Sequence, residues 1–283
     1  MSTRSDYRFS RKLVREHDRD RYLAGLLVPT AARKHLFALY AFNYEIARIR
    51  ELVHEPMPGE LRLQWWRDAL AGEARGDAAR HPVASALLAT IEECSLPRPP
   101  LLEMIDARTF DLYSDPMPDL AQLEIYCDST AGALFRLAIA LVSGRELQGI
   151  AELLRHAGRA YAITGLLRAF ALHASRGQVY LPLDLLARHG VARDDIVSGE
   201  GAPGLAAALG EVRALARAHY DEAWRRLSSL PREARAALLP LELVPRYLDR
   251  MQAADYDPFK TPVEIPQWRR QWRLWRAARK LNR

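Results

Sequence analysis

The sequence contains little cysteine: Cys94 and Cys127 are the only two among 283 residues. They lie far apart in the chain, and neither belongs to a CxxC pair or to a Cys/His spacing that is typical of zinc sites. We therefore expect neither a disulfide scaffold nor a structural zinc site, and a reducing compartment fits this composition.

Long apolar runs are also missing. The longest candidate, around residues 131–142, is interrupted by Arg136, so we expect no bilayer-spanning segment. The N-terminal segment is polar from the start, without a signal-peptide core, and its acidic residues Asp6, Glu16, Asp18 and Asp20 argue against a mitochondrial transit peptide. These features predict a chain that begins near Met1 and stays in the cytoplasm.

What the chain does contain is typical of a globular protein. Hydrophobic residues make up 49% and charged residues 27%, and the formal net charge is +6. This excess charge permits an anionic partner: a diphosphate, a lipid surface or nucleic acid. The location of the basic residues in the chain therefore says more about the partner than the size of the net charge.

The residue pattern is helical nearly throughout, because alanine, leucine and arginine dominate and all three favour helices. There is no tandem repeat and no low-complexity linker, which indicates one all-α domain. The first main predicted helix is long and runs from Pro29-Thr30 through Val53. Further helices are predicted over about 60–71, from 82 onward, from 100 through 113, over 119–143, 147–172 and 184–189, in the region from about 205 through 250, and after 266.

The C-terminal segment carries the strongest local signal. Trp268, Trp272 and Trp275 are spaced by four and three residues, which places them on one helix face. Seven basic residues and no acid accompany them: Arg269, Arg270, Arg273, Arg276, Arg279, Lys280 and Arg283. This pattern predicts contact with an anionic membrane or a partner. In the alternative interpretation, the tryptophans pack on the domain and the arginines are solvated. No feature of the fold supports nucleic-acid binding.

Two further charged regions have simpler interpretations. The segment from Ser5 to Arg19 is highly charged and predicts a flexible or surface-lying arm. Glu103, Asp106 and Asp111 form a small acidic set on one predicted helix, which favours a solvated face, although a residual metal site stays open.

Four segments, in order, resemble the squalene/phytoene synthase family. They are Leu39-Tyr-Ala-Phe42, Tyr126-Cys127 with Thr130-Ala-Gly132, the run from Gly158 to Pro182, and Tyr247-Leu-Asp-Arg-Met251. The resemblance implies an all-α, single-domain, isoprenoid-synthase-type helical bundle with a central apolar cavity. It divides the chain into a charged arm (1–19), the helical domain (20–259) and a basic Trp/Arg tail (260–283).

Enzymes of this family join two isoprenyl diphosphates, and aspartates spaced four apart on two helices bind the required Mg²⁺. Aligned on Leu39–Phe42, the first motif falls on Ala47, Arg48 and Glu51, of which only Glu51 could bind a metal.

The second motif falls on Ala169 and His173, and no acid occurs between Glu152 and Asp184. We expect His173 to face solvent or to form a hydrogen bond rather than to bind a metal. The resemblance therefore predicts no catalytic residue, no metal and no cofactor, unless the chain is a Mg²⁺-dependent transferase.

Six residues are expected to line the cavity, and Tyr40, Phe42, Arg168 and Tyr180 among them are retained from the family pattern; the other two are Asn43 and Glu51. Such a cavity could hold an isoprenoid or quinone-like lipid without reacting with it.

One non-catalytic branch of the family contains a mitochondrial assembly factor for respiratory complex I. This chain resembles that branch, as a bacterial relative, in the segments Ala41-Phe-Asn43 with Glu45, Leu63–Trp66, Leu166–Ala169, His173–Arg176 and Asp255–Phe259. The resemblance implies a cytoplasmic protein, peripherally associated with the inner membrane, whose partner is a complex I subunit or assembly intermediate.

Two alternatives stay open. The chain could be an active head-to-head prenyl transferase that binds Mg²⁺ through Glu51 and Asp106 or Asp111. It could also be an isoprenoid- or lipid-binding protein. If the chain is instead an assembly factor, its tail contacts the membrane through Trp268, Trp272, Trp275, Arg269, Arg273 and Arg276.

Overall fold

The computed structural model describes residues 3–73 and 78–281 of the chain. Within these ranges the protein consists of helices and short connections, without a β-strand, and the prediction of an all-α fold is confirmed. The α-helices are α1 (Thr3–His17), α2 (Arg19–Gly25), α3 (Thr30–Ala47), α4 (Ile49–Leu52), α5 (Pro56–Ala71), α6 (Pro82–Cys94), α7 (Pro99–Ala107), α8 (Leu120–Cys127), α9 (Ala133–Ser143), α10 (Ala151–Arg168), α11 (Phe170–Ser175), α12 (Leu183–Arg188), α13 (Arg193–Val197), α14 (Leu205–Arg225), α15 (Val244–Arg250) and α16 (Gln267–Leu281).

Shorter helical segments connect several of these elements. Three are 3₁₀ segments, at Phe110–Leu112, Leu227–Ser229 and Arg232–Leu243, and one is a π-helical segment at Asp128–Gly132. Proline occupies the first turn of α5, α6 and α7, where a backbone N–H has no partner within the helix. Gly72 and Gly144 end α5 and α9 at φ of 83° and 70°, a conformation that glycine adopts without steric cost.

Three predicted helices are interrupted at sites that the periodicity does not reveal. The helix predicted through Val53 breaks at Arg48, between α3 and α4. The one predicted over 147–172 begins at Ala151 and breaks at Ala169. The one predicted over 119–143 contains the π-helical segment, beside which the Thr130 hydroxyl donates to the Tyr126 carbonyl at 2.6 Å. The apolar pattern continues through all three breaks, so only the tertiary structure locates them.

The N-terminal segment belongs to the packed bundle. One face of α1 is buried against α3 and α6. The Tyr7 hydroxyl lies 3.2 Å from His35 Nδ1 and 3.1 Å from Thr90 Oγ1, and Ser85 Oγ donates to the Asp6 carboxylate at 2.8 Å. The helix lies on the surface of the bundle with its outer face exposed, in agreement with the surface-lying alternative, and specific partners satisfy its inner face.

One helical segment, Leu120–Ser143, passes a test of length and composition for a membrane span, with a mean hydropathy of 1.4. Most of it is buried: 78% of its most apolar window lies inside the fold. The core helix of a soluble protein can be equally long and apolar, so the length and composition of this segment are only weak evidence for a membrane span.

Gly158 is the point at which α10 crosses the π-helical segment. A Cβ atom added there would lie 2.6 Å from both Cα and N of Gly132. These are backbone atoms, which cannot rotate away as a side chain can. The glycine at the end of the Thr130-Ala-Gly132 motif and Gly158 together therefore permit the close approach of two core elements.

We predict that Gly158→Ala destabilises the protein by about 1–3 kcal/mol, the usual cost of overpacking a core. Urea denaturation monitored by circular dichroism would measure this change. Gly165→Ala is the matched control, because it lies on the same helix and its Cβ would meet no atom within 4 Å. The control should stabilise the helix by about 0.5–1 kcal/mol. Equal effects of the two substitutions would contradict the prediction.

Candidate functional site

Both predicted motifs fall at the helix breaks, and the structure brings the two breaks together. Glu51 of α4 accepts a hydrogen bond from Arg176, which follows α11, at 3.0 Å. This ion pair spans 125 residues of sequence. The site at which the family pattern places Mg²⁺ ligands is thus bridged by a carboxylate and a guanidinium.

The remaining residues of the first motif provide no free carboxylate. Ala47 has no ligand atom. The Arg48 guanidinium lies 5.3 Å from the centre of the Tyr44 ring, and its Nη1 lies 3.7 Å from Glu45 Oε1. This position therefore carries a cation on an aromatic face, which is repulsive toward a metal ion.

In the second motif, Ala169 again lacks a ligand atom, and His173 packs with its ring centre 4.7 Å from that of Tyr180. Burial lowers the pKa of His173 to about 4, the charges of Arg176 and Arg108 also lower it, and Asp111 and Glu51 act in the opposite direction. His173 is therefore neutral at pH 7. The side chain is half-buried, so it is partly exposed to solvent, and the expectation of a solvent-facing or hydrogen-bonded histidine stays a prediction.

Of the acidic set predicted on one helix face, Glu103 and Asp106 lie exposed on α7, as the solvated-face interpretation predicts, and Asp111 does not. Asp106 is exposed and pairs with Arg67 at 2.7 Å. Asp111 lies beyond the end of α7, in the 3₁₀ segment, and is buried. Its chain position on the predicted helix was therefore misleading, and the solvated-face interpretation is wrong for Asp111.

The Asp111 carboxylate is fully engaged by protein donors. It accepts hydrogen bonds from the hydroxyls of Tyr126 at 2.9 Å and Tyr180 at 2.7 Å and from Arg108 at 3.0 Å. Burial, together with the nearby Asp111 charge, raises the pKa of both tyrosines well above the usual value, so both remain protonated donors. Binding a metal at Asp111 would require these bonds to break.

A second buried carboxylate, Asp20 of α2, connects distant elements. It accepts hydrogen bonds from the Tyr247 hydroxyl at 2.5 Å, from Arg270 at 2.9 Å and from Arg168 at 3.4 Å. The Arg168 guanidinium also lies 3.6 Å from the centre of the Tyr247 ring. Asp20 therefore joins α2 to α10, α15 and α16.

A polar pocket of about 620 Å³ opens beside Asp20. Arg21 lies in its wall, 5.5 Å from the centre of the Tyr40 ring and 5.0 Å from that of Tyr161, and pairs with Asp18 at 3.0 Å. The pocket also has Arg168 and Arg270 in its wall, and its acids are Glu16, Asp18, Asp20 and Glu264. Charges of both signs are therefore interleaved in this pocket.

The central apolar cavity is small. It has a volume of about 20 Å³ between α8, α10, α11 and α14, and Tyr180 and His173 belong to its lining. That space suits about one water molecule and is far too small for an isoprenoid chain.

The other residues that were predicted to line the cavity lie elsewhere. Phe42 packs edge-on against Trp66, and Tyr40 is buried beneath Arg21. Arg168 lies at the polar pocket and Glu51 in the Arg176 pair, and Asn43 is buried within α3.

The C-terminal segment forms α16, which packs on the 3₁₀ segment 232–243 through Leu274, Ala277 and Leu281. The exposed fractions of Trp268, Trp272 and Trp275 are 65%, 53% and 48%, so the tryptophans do not pack on the domain. Asn282 and Arg283 lie outside the described residues.

The basic residues of α16 divide into two groups. Arg270 points inward and donates to Asp20. Burial raises the pKa of the half-buried Glu242 in the 3₁₀ segment, and the positive charge of the partly buried Arg273 opposes this change by lowering it. Arg269, Arg276, Arg279 and Lys280 are exposed. Arg273 is therefore not a simple surface contact, because its charge lies against the domain.

Sequence reasoning missed the Asp20 network. Asp20 and Arg21 lie in the alternating run Asp18-Arg-Asp-Arg-Tyr22, which has the pattern of a solvated surface. Tyr247 did belong to a family-like segment, but its partner is 227 residues away. Tyr247 and the retained Arg168 were the available signals, and neither identifies Asp20 as its partner.

We predict that the protein loses stability as the pH falls from about 6.5 toward 4, because the unfolded state binds protons that the neutral, buried His173 does not. His173→Phe should reduce the loss between pH 7 and pH 5 by about 2 kcal/mol. Urea denaturation at both pH values measures this, with substitution of the exposed His54 by glutamine as the control. Identical pH dependence in wild type and His173→Phe would contradict the prediction.

The chain is similar to several known proteins in sequence and in fold. The squalene/phytoene synthase family model matches residues 14–276. The NADH dehydrogenase (ubiquinone) complex I assembly factor 6 of Mus musculus is 29% identical over 253 residues, which are 89% of this chain and 76% of that protein. A phytoene synthase of Thermus thermophilus is 30% identical over 276 residues, which are 95% of this chain and 91% of the enzyme. A solved dehydrosqualene synthase in complex with ligand superposes with a TM-score of 0.83 at 19% identity and covers 99% of this chain and 98% of its own, a likeness that shows the fold alone.

Proposed function

Because the chain belongs to the squalene/phytoene synthase family, we propose that it is a non-catalytic member that assists the assembly of respiratory complex I at a membrane surface. The observation that carries the proposal is the Glu51–Arg176 ion pair at the position of the metal-binding motifs. A carboxylate that neutralises a guanidinium is a poor partner for Mg²⁺.

The chemistry of head-to-head condensation supports this proposal. Ionising an isoprenyl diphosphate requires Mg²⁺ held by several hard oxygen ligands, and these stabilise the leaving charge. Ala47, Arg48, Ala169 and His173 supply none. Among residues 3–73 and 78–281, no three His, Cys, Asp or Glu side chains lie close enough together to hold a metal ion.

The link to complex I rests on relatives. The assembly factor 6 proteins of Mus musculus and three further mammals, at 28–29% identity, match about nine tenths of this chain. We propose the same client for this protein, a complex I subunit or an assembly intermediate.

Membrane docking is proposed through α16. Its exposed tryptophans present large rings with a polar edge, which suit the headgroup boundary of a bilayer. The exposed Arg269, Arg276, Arg279 and Lys280 suit anionic lipids, with each charge near the surface contributing about 1 kcal/mol. The proposed location is the cytoplasmic face of the inner membrane. The closed central cavity gives no support for a bound isoprenoid or quinone-like tail.

We predict that the protein co-sediments with phosphatidylglycerol vesicles at low salt, and that replacing Trp268, Trp272 and Trp275 together by alanine weakens binding at least tenfold. The matched control replaces Met57 and Leu61 of α5, whose exposed fractions of 68% and 66% are similar. Equal loss in both variants would indicate nonspecific hydrophobic adsorption and would contradict docking through α16.

We further predict that deleting the gene in the cells that encode it lowers assembled complex I on native gels. Complex II serves as the internal control. The Glu51→Ala protein should restore complex I as fully as wild type, because this carboxylate is not required to bind a metal. Unchanged complex I levels after deletion would reject the assembly role, whatever the vesicle experiment shows.

An active prenyl transferase is the second candidate, favoured by the 30% identity to the Thermus thermophilus phytoene synthase. Its Mg²⁺ ligands would be Glu51 with Asp106 or Asp111, but each of these acids is paired with arginine, and Asp111 is also bonded to two tyrosines. Turnover of farnesyl or geranylgeranyl diphosphate with Mg²⁺, lost in Glu51→Ala, would establish this candidate and overturn non-catalysis. A known family enzyme is the positive control.

A further inference from the structure

A groove beside α14 is separate from the polar pocket and from the central cavity. It lies between the segment 199–209, which leads into α14, and the segment 251–260 after α15, and we call it the Arg213 groove. Its volume is about 660 Å³, which is within the range of small-molecule sites. It shares no lining residue with the polar pocket or the central cavity.

Arg213 of α14 brings an uncompensated charge to this groove. Its Nε is closed off from solvent and has no hydrogen-bond partner, and across the described ranges the side chain forms no ion pair. Burial lowers the pKa of the guanidinium, and Tyr256 is the neighbour that opposes this change. A half-buried cation without a carboxylate is destabilising, and an anion placed beside it would relieve the cost.

The other charges at the groove do not neutralise Arg213. Asp257 pairs with Lys260 at 3.4 Å and also accepts the backbone N–H of Phe259 at 2.9 Å. These two residues therefore satisfy each other. Glu200 is exposed on its loop and lies beyond ion-pair distance of Arg213. The guanidinium of Arg213 is therefore left without a carboxylate at ion-pair distance, although Glu200 keeps the formal charge of the groove lining at zero.

The remaining walls of the groove are partly apolar. Leu209 and Met251 lie beneath the surface, only 3% and 2% exposed, so the half-buried Tyr256, Pro258 and Phe259 present the accessible apolar surface. The Phe259 ring centre lies 5.2 Å from that of Phe170, which belongs to the lining of the central cavity. The Phe259 side of the groove is therefore backed by packed rings.

We propose that the Arg213 groove binds an amphipathic anion, with an alkyl chain against Tyr256, Pro258 and Phe259 and a carboxylate or phosphate head on Arg213. The pairing of one free guanidinium with an adjacent apolar wall defines this ligand class, because each part of the ligand meets the surface that suits it. This binding site is independent of complex I assembly and of docking through α16.

Isothermal titration of the full chain with dodecanoate and with dodecyl phosphate, both at submicellar concentration, tests the inference. Wild type should bind at least one of them, and Arg213→Gln should weaken binding at least tenfold, because the head loses its countercharge. Dodecanol, which has the chain without the charge, should bind the two proteins alike. Arg225→Gln is the matched control, since Arg225 lies on the same helix, is exposed and pairs with Glu222.

A tighter fit of dodecanoate would identify the head as a carboxylate, and a tighter fit of dodecyl phosphate would identify it as a phosphate. Phe259→Leu should weaken both, with circular dichroism to check folding. No binding to wild type, or equal affinity of wild type and Arg213→Gln, would overturn the proposal. Loss of binding in the triple tryptophan variant of α16, with Arg213→Gln unaffected, would place the ligand on α16 and would also overturn it.

Discussion

The hydrogen bonds of the buried Asp20 carboxylate are the interactions on which the packing of α2, α10, α15 and α16 depends. It accepts hydrogen bonds from Arg168, Tyr247 and Arg270 and so holds the C-terminal helix against the bundle. Removing a carboxylate from such a network would leave two guanidinium groups without a partner in a partly buried site, which commonly costs several kcal/mol. The outward direction of the α16 tryptophans follows from this inward attachment, because Arg270 fixes the rotation of the helix.

The same principle explains the two motif regions. A buried or half-buried polar group must be satisfied, and here protein groups satisfy one another. Arg176 pairs with Glu51, and Arg108, Tyr126 and Tyr180 surround Asp111. The carboxylates that remain near the motifs are thereby structural members of ion pairs and hydrogen-bond networks. Arg213 departs from this pattern, since its half-buried guanidinium has no ion pair and its Nε has no hydrogen-bond partner.

Much of the fold was accessible from the sequence, as the confirmed helical architecture and helix α6, which opens at Pro82, illustrate. Helix breaks were less accessible. Arg48 and Ala169 interrupt segments whose apolar periodicity continues without change, and no proline or glycine marks them. The packing of the charged α1 was inaccessible for a related reason, since its buried Asp6 and Tyr7 are satisfied by Ser85, His35 and Thr90, residues from later helices that periodicity cannot assign as partners.

The sequence by itself determined the all-helical class, the family, and the absence of acids between Glu152 and Asp184, because these depend on residue types and their order. Tertiary structure alone decided which charges are free. Glu51, Asp20 and Arg270 are paired, and Arg213 is not, although all four are ordinary charged residues in the sequence. The reason is physical: the state of an ionisable group depends on burial and on neighbours within a few ångströms, and in this bundle those neighbours come from up to 250 residues away.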